Sequence, residues 1–101
     1  MIYENITFDE NTKIYVNLVS VSKSRMTRRI KFYTIVDNEL QNITDIIAGA
    51  LGQKLDKNYC VVAKGCGVDV FFHTLYRFAM RIGFESQKAL SLVWVNHYHK
   101  I

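Results

Sequence analysis

Two runs of alternating apolar residues, separated by a short polar segment, constrain this chain most. Lys13 to Ser22 alternates around Ile14, Val16, Leu18 and either Val19 or Val21, and Arg28 to Val36 puts Ile30, Phe32, Thr34 and Val36 on one face. A period of two with β-branched enrichment is the pattern of strands buried on one side. The segment between them is then the turn or wide loop of a hairpin. A sheet with one apolar face needs a covering layer, and two later segments have the helical period to supply it.

The first of these starts at Asn42-Ile43-Thr44-Asp45. Thr44 is placed to cap the helix, Asp45 suits its positive end, and Ile43 can pack back on the first turn. Ile46, Ile47, Ala50, Leu51 and Leu55 make its buried stripe. Gly49 and Gly52 each weaken such a helix by about 1 kcal/mol relative to alanine, which points to close packing on the sheet or to fraying towards Lys54. Tyr59 to Lys64 reads as a short strand. From Val68 to Ile82 the helical period returns, with Val68, Phe71, Phe72, Leu75, Phe78, Ala79 and Ile82 largely apolar and Gly83 placed to end it. Asp37-Asn38-Glu39 is a turn, and residues 1–12 read as polar and irregular. The run Leu90 to Val95 fits a buried strand or a helix, and we take it as strand. The expected fold is a small single-domain α+β sandwich over residues 1–101, a three- or four-stranded sheet with two helices in the order β-β-α-β-α-(β).

Length and composition narrow the classes. One hundred and one residues, half of them apolar and 13% aromatic, support one hydrophobic core and exclude intrinsic disorder. No run approaches the ~20 apolar residues that span a bilayer, and Met-Ile-Tyr-Glu-Asn does not have the pattern of a signal or transit peptide. A soluble, intracellular protein is expected, with no membrane partner. Cys60 and Cys66 lie six residues apart on a strand and the turn after it. That separation reaches ~20 Å in extended chain, beyond the ~7 Å a disulfide allows, so both thiols are expected free.

Charge is uneven. The net charge is +4, and between Asn11 and Val36 there is no acidic residue while Lys13, Lys23, Arg25, Arg28, Arg29 and Lys31 are all basic. Five of those six fall within residues 23–31. Such a cluster attracts phosphates, nucleic acid or an acidic protein surface; the plainer reading is a solvated hairpin tip. The arginines are interleaved with Ser22, Ser24 and Thr27, which sets a binding role level with the plainer reading.

A second segment, Gly65-Cys66-Gly67-Val68-Asp69, ends a strand and opens the second helix. Glycines there permit positive φ, and a helix start presents unpaired N–H groups to an anion. It matches neither a phosphate-binding loop of the GxxxxGK[ST] type nor a dinucleotide fingerprint. The plainer reading is a tight turn capped by Asp69 or water. Cys66 at that place has the setting of a lowered pKa, but His73 is seven residues on, about 10 Å along a helix, too far for a direct Cys–His bond. A zinc site from Cys60, Cys66, His73, His97 and His99 lacks knuckle spacing. The sequence asks for no metal and no cofactor. Asp69, His73, Arg77 and Arg81 recur every four residues as one polar stripe.

Together the two segments resemble a family of short proteins found in phages and mobile elements of bacteria. Its pattern is a strand ending in S-x-S-G-M-S-R, a helix, then G-C-G-M-D-M-G-F-H heading a second helix. Here the motifs stand as Ser22-Lys23-Ser24-Arg25-Met26-Thr27-Arg28 and Gly65-Cys66-Gly67-Val68-Asp69-Val70-Phe71-Phe72-His73, with the same strand–helix order between them over roughly residues 15–82. The chain departs at Arg25 and Phe71, where the pattern has glycine, and at Val68 and Val70, where it has methionine. The resemblance implies a phage or plasmid gene acting inside a bacterium.

In that setting a small domain without a catalytic constellation is expected to be a binder rather than an enzyme. The leading expectation is an inhibitor of a host defence system, of the anti-CRISPR type, directed at a defence protein or at its nucleic acid or nucleotide ligand. Its contact face would comprise Ser22, Ser24, Arg25, Arg28, Arg29, Gly65, Cys66, Gly67, Asp69 and His73. The alternatives are a phosphate-recognising module that binds nucleic acid or a nucleotide signal directly, and a cysteine-dependent enzyme. An exposed edge strand in so small a domain also leaves room for a homodimer.

Overall fold

The computed structural model describes residues 2–3, 6–8, 12–65, 69–83 and 99–100. In chain order the elements are β1 (Ile2–Tyr3), β2 (Ile6–Thr7), β3 (Ile14–Val21), β4 (Thr27–Val36), β5 (Glu39–Asn42), α1 (Thr44–Ala50), β6 (Val61–Lys64), α2 (Asp69–Arg81) and β7 (His99–Lys100). The class is α+β: an antiparallel sheet of β3, β4, β5 and β6, extended by β7 parallel to β3, with two helices packed on it.

Strand β4 organises the sheet. One of its edges pairs with β3 along almost the whole hairpin, from Ile14 opposite Thr34 to Val21 opposite Arg28. Its other edge is shared: residues Thr27–Ile30 pair with β6, and residues Tyr33–Val36 pair with β5. The predicted alternation holds, since Ile14, Val16, Ile30, Phe32 and Thr34 are buried. Val61 and Ala63 continue that face on β6. A bulge between Leu18 and Ser20 shifts the register of β3, and beyond it Val21 lies opposite Arg28. Val19 and Val21 are both about two-fifths exposed, so neither extends the buried row.

The helices cover the apolar face. Ile43, Ile47, Ala48 and Leu51 around α1, and Leu75, Phe78, Ala79 and Ile82 around α2, join the strand residues in one core cluster. Ile46, Ala50 and Leu55 pack on its margin. Thr44 does not cap α1 as expected. Ile43 occupies the cap position, and the buried Thr44 hydroxyl accepts the Phe32 N–H at 2.9 Å and donates to the Phe32 carbonyl oxygen at 3.3 Å. The hydroxyl thus ties the helix start to the central strand.

Three further expectations are corrected. Residues 1–12 contain the β1–β2 pair, and Ile6 and Phe8 are buried in the core, with Phe8 edge-to-face on Phe78 at 5.3 Å. The turn at Asp37–Asn38 is a two-residue hairpin loop with both φ values positive (52° and 65°), so residues 39–42 form strand β5 rather than leading directly into the helix. Gly52 does not weaken a longer helix; it ends this one. Its φ is +69°, its N–H donates to the Gly49 carbonyl, and the Gln53 N–H donates to the Ala48 carbonyl, the paired bonds of a Schellman stop. Gly49 meets nothing within 4 Å where a Cβ would stand, so close packing does not explain it. The expected strand at Leu90–Val95 lies outside the described residues.

Candidate functional site: a basic hairpin end joined to Gly65

The segment between β3 and β4 is a tight, internally bonded turn. The Ser22 N–H donates to the Thr27 carbonyl at 2.9 Å, and the Arg25 N–H donates to the Ser22 carbonyl at 2.9 Å. The Ser22 hydroxyl oxygen accepts the Thr27 N–H at 3.1 Å, and the Ser24 hydroxyl accepts the Met26 N–H at 3.4 Å. The two hydroxyls lie 3.1 Å apart. Ser22 and Ser24 therefore shape the turn, the usual work of such residues in tight loops. Arg25 sits at φ +63°, in the left-handed region that favours glycine. It is the position at which the resembling pattern carries glycine. The arginine is held there with its side chain exposed.

The β4–β6 ladder brings the second motif to this turn. Thr27 lies opposite Lys64 and Arg28 opposite Ala63, and one step further the Gly65 N–H donates to the Met26 carbonyl at 2.7 Å. Ser22, Ser24, Arg25, Arg28 and Gly65 thus share one end of the sheet, together with Lys23 and Lys64. Gly65 has φ 132°, so the chain leaves β6 in a conformation suited to glycine. Cys66 and Gly67 lie outside the described residues, and Asp69 is the first residue of α2. His73 is exposed, one turn into α2.

Neighbouring arginines part company at the sheet. Arg28 shares the parity of Ile30 and Phe32, so it lies on the helix-covered side, and its Nε is buried without a hydrogen-bond partner among the described residues. A buried donor without an acceptor is costly and calls for an explanation. Arg29 lies on the opposite side, where its Nε donates to Asp56 Oδ2 at 2.9 Å. The other carboxylate oxygen of Asp56 accepts the N–H groups of Asn58 and Cys60, each at 2.9 Å. The Cys60 bond leads in holding the Asp56 carboxyl below its ordinary value of 3.8, helped by Asn58 and Arg29. Arg29 is thereby an anchor for the loop before β6.

Cys60 is fully buried and not in a disulfide, as expected, and burial pushes its thiol above the ordinary 9.0. A neutral, inaccessible thiol is a poor nucleophile. Sequence reasoning did not single out Met26, which stands 52% exposed at the tip beside Arg25, near the exposed Val21. Its signal was an apolar residue in an otherwise polar turn. Among the described residues, no three His, Cys, Asp or Glu side chains gather as a metal site, and no helix is long and apolar enough to cross a membrane. The acidic Asp37 and Glu39 lie at the β4–β5 turn, the other end of β4.

No family model, curated protein or solved structure matches the chain.

Proposed function

We propose that this chain is a non-enzymatic binding protein that docks the basic end of its sheet on an acidic protein surface. The observation that carries the reading is the hydrogen bond from the Gly65 N–H to the Met26 carbonyl, which joins the basic turn to the end of β6. Lys23, Arg25 and Arg28 supply the charge, Ser22 and Ser24 fix the turn, and Gly65 lies against it.

Exposed Met26 and Val21 among these arginines favour a protein partner over bare nucleic acid. Methionine and arginine are enriched at protein interfaces, whereas a phosphate-binding surface needs no apolar side chains at its centre. In the phage setting that the resemblance implies, such a partner is a component of a host defence system, and the chain is its inhibitor. The net charge of +4 runs against the carboxylate-covered surface of a DNA mimic.

A binding titration of the captured partner against salt tests this. Affinity is expected to fall with added salt, and Arg25→Ala with Arg28→Ala should abolish binding in a variant that still folds. Unchanged affinity in that variant would refute the reading. A slope of log affinity against log salt that drops by about one for each arginine removed would instead mark direct phosphate recognition.

A further inference from the structure

We propose that the free edge of β6 is a strand-addition site for an extended, acidic peptide segment. The proposal shares Gly65 and Lys64 with the basic end of the sheet described above but uses none of the contact-face arginines, so the two stand or fall separately.

The phase of the ladder shows which backbone groups are available. In an antiparallel pair, residues alternate between those that exchange both bonds with the partner strand and those that direct N–H and C=O to the other edge. The Gly65 N–H bonds to the Met26 carbonyl, which makes Gly65/Met26 a bonded pair. Counting back, Ala63/Arg28 and Val61/Ile30 are bonded pairs as well. Val62 and Lys64 therefore direct their N–H and C=O groups away from β4. Among the described residues no strand pairs with that edge. Two donors and two acceptors in register are a template for another strand.

An open cleft of about 500 Å³ adjoins β6, and among the described residues no element pairs with this edge. The cleft is lined by all four residues of β6 and Gly65, by Leu51 and Gln53 at the end of α1, and by His73, Thr74 and Arg77 of α2. A sheet edge beside a helix is a recurrent setting for an extended peptide, because the strand supplies main-chain bonds and the helix supplies side-chain contacts. Four residues of strand rise about 13 Å, which matches a segment of roughly four to six residues.

Charge selects the occupant. Lys64, His73 and Arg77 line the cleft, and among the described residues no acidic side chain lines it. An acidic side chain on the added strand meets Arg77 across the cleft and Lys64 at its end. A second copy of this chain offers β6 with the same basic lining, so self-pairing would set like charges together.

The test uses the full chain, labelled with ¹⁵N, and two synthetic libraries of random hexapeptides blocked at both ends. One library carries a fixed central glutamate and the other a fixed central lysine. The glutamate library is expected to yield binders and the lysine library none. Binding should slow hydrogen exchange at the Val62 and Lys64 amides by at least about tenfold. Arg77→Glu, an exposed position, should weaken binding by about tenfold or more without loss of fold. Methylating alternate peptide nitrogens should abolish binding. The proposal is overturned if the glutamate library yields no binder, or if binders leave both amides unprotected. Protection that grows with protein concentration alone would also overturn it, by making a second copy the occupant.

Discussion

The Gly65 N–H donates to the Met26 carbonyl oxygen at 2.7 Å, across nearly forty residues of sequence. That one bond joins a basic hairpin turn to the end of another strand. It also fixes which edge groups of β6 remain unpaired, and so bears on both surfaces proposed above.

Arg25 carries charge at a backbone position that favours glycine, with φ +63°. Arg25→Gly should therefore raise stability by about 1 kcal/mol while weakening partner binding. Urea denaturation gives the first quantity and a binding titration the second. A variant that loses stability would show that the arginine side chain holds the turn.

The two glycines near the end of α1 should respond in opposite directions. Gly49 stands exposed with open space at its Cβ position, so Gly49→Ala should stabilise by about 0.5–1 kcal/mol. Gly52, at φ +69°, ends the helix, and Gly52→Ala should destabilise by about 1 kcal/mol. Chemical denaturation of both variants resolves the signs.

Thr44 makes two buried bonds to the backbone of Phe32. Thr44→Val keeps the shape and removes both, leaving polar groups of the central strand and helix start without this partner. A loss of about 2 kcal/mol is expected, measurable by thermal or urea unfolding.

Asp56 ties the loop before β6 to Arg29 and to the N–H groups of Asn58 and Cys60. Its folded-state pKa is lowered, so the carboxylate stabilises the fold above the ordinary value of 3.8, and that contribution is lost as pH falls through the folded value. Unfolding measured from pH 7 down to pH 2 should show this acid limb, and Asp56→Asn should flatten it. Retention of the full limb in Asp56→Asn would assign it to other groups.

The hairpin and both helices were legible because their apolar periods were regular. Ile14, Val16, Ile30 and Phe32 alternate cleanly, and Leu75, Phe78, Ala79 and Ile82 recur at helical spacing. Strand β5 was not legible, since Glu39–Asn42 is exposed throughout and is held by the turn at Asp37–Asn38 and by pairing with β4. Ile6 and Phe8 were hidden in a polar-looking stretch whose burial depends on distant partners such as Phe78.

For the candidate site, composition pointed to the basic turn and local motif to Gly65. That the two share a face was an expectation, but the pairing that joins them was not readable, because it depends on β4 sharing one edge between β5 and β6. The division of labour between Arg28 and Arg29 follows from strand parity once the buried face is known. The partner of Arg29 lies twenty-seven residues away, beyond any local pattern.

Capture from bacterial lysate, with wild type and the Arg25→Ala/Arg28→Ala variant side by side, addresses the proposed contact face most directly. Each capture is run with and without nuclease, and retained molecules are identified by mass spectrometry. A protein held by the wild type after nuclease treatment and absent from the equally folded variant is the expected result. The same partners on both proteins, or nucleic acid alone on the wild type, would contradict it.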